Sequence, residues 1–291
     1  MLIEVVSEVK SELGEGPVWD APRGLICWVD IINGLIHEWL PEKKVHHTIK
    51  VGQMIGAMAV CTDGNYVAAL KNGFGFIDRR TGEVDLITDP ESDLPDNRFN
   101  DGKCDPSGRF WAGTLPLSED TDTGSLYILN RDRSVEKRED KITISNGLAW
   151  NLADRAFYYI DTPTMKVVRY DYDNGTGAIG NKETIINIPR EAGFPDGMTI
   201  DSEGMLWIAH WGGWQVTRWD PATGLQLTSI KLPVSNVTSC TFGGDTLEDL
   251  YITSARKGLS ETELGKQPLA GSLFVIKNFG HTGVPATEYK L

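Results

Sequence analysis

Four short polar runs, each leading into a glycine, carry the residues of this chain best suited to chemistry: Glu15 in "GEGP", Asn100 in "NRFNDG" with Arg98 beside it, Asn146 in "SNG" and Asp196 in "PDG". Two carboxylates and two amides are all oxygen donors. Brought to one point, the carboxylates repel and are costly to desolvate unless a cation neutralises them. Such a set suits a hard divalent cation, Ca²⁺, Mg²⁺ or Mn²⁺, and Zn²⁺ also accepts carboxylate oxygen. Taken singly, an Asn or Asp before Gly is an ordinary turn residue. The chemistry therefore depends on whether the fold brings the four together.

The elements that must position them recur six times. Copies begin near residues 15, 56, 100, 146, 196 and 238, at spacings of 41, 44, 46, 50 and 42 residues. Each runs as a marker residue, a short apolar strand, a turn such as "CTDG", "DPSG" or "DSEG", and further strands rich in Ile, Val, Tyr, Phe and Trp. Helix signals are weak, "SETELGKQ" being the exception. A period of about 40–50 residues with four strands per repeat predicts a β-propeller blade. The expected fold is all-β, a six-bladed propeller of four-stranded antiparallel blades filling residues 1–291 as one domain, with "LIEVVSEV" completing the last blade.

In a propeller the first strand of each blade lines the central channel. Asp20, Cys61, Asp105, Asn151, Asp201 and Gly243 are the expected ends of those strands, and five positions earlier stand Glu15, Gly56, Asn100, Asn146, Asp196 and Thr238. Radial symmetry then predicts one ring of the six at a channel mouth, with Arg98 at its rim and with Gly56 and Thr238 leaving open space for water or substrate. Trp19, Trp111, Trp150 and Trp207 fall inside strand patterns and read as blade-packing residues, and Asp101 and Lys103 as a local ion pair.

Composition excludes several classes. A net charge of −13 repels phosphate backbones, so neither nucleic acid nor an anionic membrane is an expected partner. No apolar run approaches the roughly 20 residues of a membrane span, and the acidic start "MLIEVVSEVKSELGEG" does not read as a signal peptide. Cys27, Cys61, Cys104 and Cys240 form no CxxC pair, which predicts neither a thiolate metal site nor a disulfide framework and fits a reduced, cytoplasmic protein. There is no G-x-S-x-G elbow and no H-E-x-x-H among His37, His46, His47, His210 and His281. His210, at the end of the fifth blade's second strand, is a candidate to border the pocket with Trp211, its alternative being a packed structural histidine.

The segments "LGEGPVWD", "DNRFNDGKCDPSGRFWAGT", "ISNGLAW", "FPDGMTIDSEGMLWIA" and "LPVSNVTSCTFGG" resemble the regucalcin (senescence marker protein), gluconolactonase and luciferin-regenerating enzyme family from about Ser11 onward. The ending "ARKGLSETELGKQPLAGSLFVI" looks most like its bacterial sugar-acid lactonases. The resemblance implies one divalent metal in the channel mouth, bound by Glu15, Asn146 and Asp196, with Asn100 beside it, Arg98 binding substrate oxygens and Asp196 as base. It also implies substrate contacts near "AGTLPLSED", where Ser118 stands in place of an acid of the vertebrate regucalcins and Glu119 follows.

The expected reaction is hydrolysis of a sugar-acid lactone, a small-molecule substrate, to the open aldonic acid. It calls for a polarised carbonyl, an activated water and a stabilised oxyanion, and a divalent ion (Ca²⁺, Zn²⁺, Mn²⁺, Mg²⁺ or Fe²⁺) serves the first and third as a Lewis acid. Competing readings are a Ca²⁺-binding regulatory protein with little catalysis, a promiscuous ester or phosphotriester hydrolase, and a protein-binding platform. Arg98 at the mouth argues against pure cation buffering, and the polar axis against a platform. A monomer or weak homo-oligomer is expected.

Overall fold

A computed structural model describes residues 2–291. Among these residues, twenty-four strands form six four-stranded antiparallel sheets, the blades of a six-bladed β-propeller. The innermost strands are Gly14–Asp20, Ile55–Val60, Asn97–Cys104, Ser145–Trp150, Phe194–Ile200 and Val237–Gly243 in blades 1 to 6. Their ends fall within one residue of the positions expected from the repeat.

Hydrophobicity falls from the axis outward, which sets the order of strands in each blade. The inner strand "IGAMAV" of blade 2 is buried at every position. The outer strand "VEKREDKI" of blade 3 (Val135–Ile142) is buried only at its last residue. Faces of adjacent blades then pack together, as where Cys27, Val29 and Ile36 of blade 1 meet Met58, Val60 and Tyr66 of blade 2. Burial of apolar side chains between sheets is the main stabilising term of such an architecture.

The turn after the inner strand is built by an aspartate. Asp105 accepts the N–H groups of Ser107 and Arg109 and the indole N–H of Trp111, at 3.0 Å each. Asp201 repeats this with Glu203, Met205 and Trp207. These bonds explain the "DxxGxxW" recurrence and fix Trp111 and Trp207 as the packing residues the sequence predicts.

Blade 6 takes its outer strand from the other end of the chain: Glu4 and Val5 pair with Val275 and Phe274. The helix signal holds as well, since Glu261–Lys266 is α-helical with a capping box between Ser260 and Glu263.

Each inner strand carries a β-bulge at the level of the predicted ring. Pairing with the second strand shifts between Glu15 and Val18, Ile55 and Ala57, Phe99 and Gly102, Asn146 and Leu148, Pro195 and Met198, and Val237 and Ser239. A bulge inserts one unpaired residue and re-aims its neighbour's side chain. In blades 1, 3, 4 and 5 the marker residues Glu15, Asn100, Asn146 and Asp196 face a common cavity.

Two ring positions differ from expectation. Gly56 opens no space, because a Cβ there would lie 2.5 Å from the carbonyl oxygens of Phe99 and Asn100. It is glycine so that the inner strands of blades 2 and 3 can approach. Thr238 is fully buried and donates its hydroxyl to the Gly14 carbonyl across the blade 6–blade 1 junction.

Candidate active site

Glu15, Arg98, Asn100, Asn146 and Asp196 converge on one cavity of about 330 Å³ at a mouth of the channel. All five are nearly inaccessible to solvent, at 4–6% exposure. They come from the inner strands of blades 1, 3, 4 and 5.

A hydrogen-bond chain ties blades 3, 4 and 5 together. Arg98 donates to Asn100 Oδ1 at 2.8 Å and to its neighbour's carbonyl, Phe99 O, at 3.0 Å. Asn100 Nδ2 donates to Ser145 O at 2.8 Å and to Asn146 Oδ1 at 3.2 Å. Asn146 Nδ2 donates to Thr162 Oγ1 at 2.9 Å, and Thr162 donates in turn to Pro195 O at 2.8 Å. The Asn146 amide is thereby fixed, with its nitrogen on Thr162 and its oxygen on the Asn100 side. Arg98 lies buried in the wall beside Asn100, not at the rim.

Glu15 of blade 1 and Asp196 of blade 5 lie in hydrogen-bond contact in the cavity, and Gly16 N–H donates to Glu15 Oε2 at 2.9 Å. Burial first, and then the nearby Asp101 carboxylate, push the Glu15 carboxyl up to about 8. Burial and the Glu15 charge raise Asp196 well above the usual carboxylate range. Two buried carboxyls in contact cannot both ionise without a neutralising charge. The donor set, two carboxylates and the Asn146 amide oxygen, fits a hard divalent cation bound by oxygen.

Among the described residues a further group, Asp201, Glu203 and His281, has ligating atoms within 4.8 Å of one another. Arg218 Nε donates to Asp201 Oδ2 at 2.8 Å and another of its nitrogens donates to Glu203, so a guanidinium already neutralises that group. Among the described residues, no guanidinium or ammonium forms an ion pair with Glu15 or Asp196.

Other expectations fare unevenly. Glu119 lines the cavity, in a turn where its own φ is +59°, and accepts from the Lys257 ammonium. Ser118 points away to solvent and donates to Asp120 Oδ1 at 2.5 Å. His210 does not reach the cavity either. Successive strand residues face opposite ways, so Trp211 lines the cavity while His210 is fully buried within blade 5, its Nε2 2.6 Å from Thr217 Oγ1. Asp101 and Lys103 do not form the expected direct ion pair: Asp101 accepts Gly102 N–H at 2.8 Å, and Lys103 donates to Met198 O at 2.7 Å.

Sequence reasoning missed Leu13, Thr162, Phe194 and Lys257, which also line the cavity. Leu13 sits just before an inner strand, Phe194 is the first residue of one, and Thr162 and Lys257 follow second strands. The repeat register applied to those loops, and not only to the strands, would have pointed to them.

The chain is similar along nearly its whole length to proteins of one family. Residues 13–256 match the family described as SMP-30/Gluconolactonase/LRE-like region. A Bacillus subtilis (strain 168) protein that carries the name sugar lactone lactonase YvrE is 40% identical over 96% of this chain and 96% of its own. Regucalcin of Xenopus laevis is 39% identical over 99% of this chain and 98% of its own. The structure of a luciferin-regenerating enzyme superposes with a TM-score of 0.94 at 31% identity, covering 100% of this chain and 99% of that one. The chain belongs to the SMP-30/gluconolactonase/LRE-like family.

Proposed function

We propose that the chain is a divalent-metal-dependent lactonase that opens a sugar-acid lactone to its aldonic acid, acting in the cytoplasm. The observation that carries this reading is the contact of two buried carboxyls, Glu15 and Asp196, in a cavity that also holds an oriented asparagine and an arginine. Glu15, Asp196 and Asn146 would hold the cation, which when bound supplies Lewis-acid polarisation of the lactone carbonyl and stabilises the oxyanion.

The chain's own groups supply the rest. Arg98 uses one nitrogen on Asn100 and Phe99, leaving its other N–H groups to donate to sugar oxygens in a planar, multi-donor array. Asp196 accepts the proton of the water that attacks the carbonyl carbon. Burial first, and then the Glu15 charge, raise its proton affinity in the metal-free site. The C–O bond to the ring oxygen then breaks, and the proton held by Asp196 passes to that oxygen, giving a hydroxyl and a carboxylic acid. Leu13, Leu115, Ile144 and Phe194 around the cavity limit bulk water.

The test is acid release from a panel of aldono-lactones by chelator-stripped protein, with each divalent ion added back. Ion-restored hydrolysis that Asp196→Asn and Glu15→Gln lose supports the reading. Spontaneous rates with every lactone and every ion would overturn it, and an aryl-ester substrate in the same panel tests the promiscuous-hydrolase alternative.

A further inference from the structure

Behind the ring the channel opens into a second cavity of about 250 Å³. The C-terminal segment crosses that end. Thr282 O accepts Ser202 N–H, Cys61 bridges to Tyr289, and Lys290 N–H donates to Gly108 O. Val284, Pro285, Ala286 and Thr287 form part of the cavity's wall.

Two charged side chains from the inner strand of blade 3 face this space, Asp101 and Lys103. Asp101 is 6% exposed, and its recorded hydrogen bond is to the N–H of the next residue. Lys103 reaches across the channel to blade 5, where its ammonium donates to Met198 O at 2.7 Å. Met198 lies two residues beyond Asp196.

The channel therefore holds three buried carboxyls, Glu15, Asp101 and Asp196, that act on one another through space. A divalent cation offsets Glu15 and Asp196, and the Arg98 guanidinium acts on those two and on Glu119, which leaves the buried Asp101 carboxylate behind the ring matched by neither. Inside a protein such an imbalance is expensive, because little solvent screens it. Lys103, which lines the same second cavity as Asp101, supplies the positive charge that acts on it, and the Met198 carbonyl anchors the ammonium where it does not compete for Glu15 or Asp196.

We propose that Lys103 is a built-in counter-ion of the channel, a positioning residue that balances Asp101 from behind the ring and leaves Glu15 and Asp196 to one divalent cation. The inference rests on the metal reading above. It assigns Lys103 no contact with substrate, and it makes metal affinity a property of the whole channel's charge.

A double-mutant cycle on the full chain tests it, with Mn²⁺ binding to chelator-stripped protein followed by calorimetry at one pH. Wild type should bind one Mn²⁺. Lys103→Met should tighten binding by at least about tenfold, Asp101→Asn should weaken it by a similar factor, and the double variant should return close to wild type. Lys103→Arg, which keeps the charge, should bind as wild type does. Lys103→Gln, which keeps a donor for Met198 O, carries the expectation of the Met variant should that one fail to fold. Opposite signs for the two single variants are the decisive readout, since a merely structural lysine would weaken binding when lost. Weaker or unchanged affinity in both neutral Lys103 variants would overturn the proposal while leaving the metal reading intact. Absence of Mn²⁺ binding in wild type would overturn the metal reading and this proposal with it.

Discussion

Glu119 and Lys257 meet over the cavity, joining the loop after the second strand of blade 3 to the loop after the second strand of blade 6, on opposite sides of the six-bladed ring. An ion pair between diametrically placed blades lies across the mouth like a bar. Its side chains are 37% and 34% exposed, so the pair contributes little to stability. Lys257→Ala should therefore change the unfolding free energy by less than about 1 kcal/mol. Its effect should appear in access to the site. In wild type, kcat/KM for a lactone should rise between low and high salt as the pair is screened, and in Lys257→Ala it should be high throughout and insensitive to salt. A salt response unchanged by the substitution would exclude the bar as a barrier.

The Glu15–Asp196 contact carries a pH signature. Glu15 is pushed up to about 8 by burial and Asp101, and Asp196 is raised too, so the folded metal-free protein keeps protons that the unfolded chain releases near pH 4.5. More protons on the folded state means stability falls as pH rises, from about 4.5 through about 8. His37 and His210, lowered by burial to about 4, act oppositely, but only below about pH 6.5. Between pH 6.5 and 8 the melting temperature of chelator-treated protein should fall, and a saturating divalent ion should abolish the fall. Melts that run parallel with and without the ion would contradict the shared-proton account.

Thr162 orients Asn146 without touching the carboxyls. Thr162→Val removes the acceptor for Asn146 Nδ2 and the donor to Pro195 O while nearly conserving shape. Metal affinity should drop about 10–100-fold, as for other groups that hold a ligand in place, and Thr162→Ser should restore most of it. Equal affinities in the Val and Ser variants would show that the amide orients itself.

Gly56→Ala tests the close approach of blades 2 and 3. Its Cβ would press on the carbonyls of Phe99 and Asn100, 2.5 Å away. Overpacking of this kind costs about 1–3 kcal/mol, readable as a lower urea midpoint. Because the displaced strand carries Asn100 and Arg98, metal binding should weaken alongside stability. A variant as stable as wild type would mean that the strand can shift freely.

The architecture and four members of the ring were legible in the sequence because a propeller repeats. One period converts positions far apart in the chain into equivalent places around an axis, so Glu15, Asn100, Asn146 and Asp196 could be aligned before any contact was known. Side-chain identity likewise showed that these four residues offer oxygen donors and no sulfur, and the turn aspartates announced themselves through "DPSG" and "DSEG". Symmetry says nothing about where it is broken. Gly56 and Thr238 proved to be close-packing residues, which depends on how near adjacent inner strands come. Glu119 turned inward and Ser118 outward because of one left-handed backbone angle, while His210 lost its place to Trp211 through the alternation of a strand. Thr162 entered through the loop that closes beside Asn146 in its own blade, while Lys257 and the C-terminal crossing entered through contacts between distant parts of the chain, which only closure of the ring brings together.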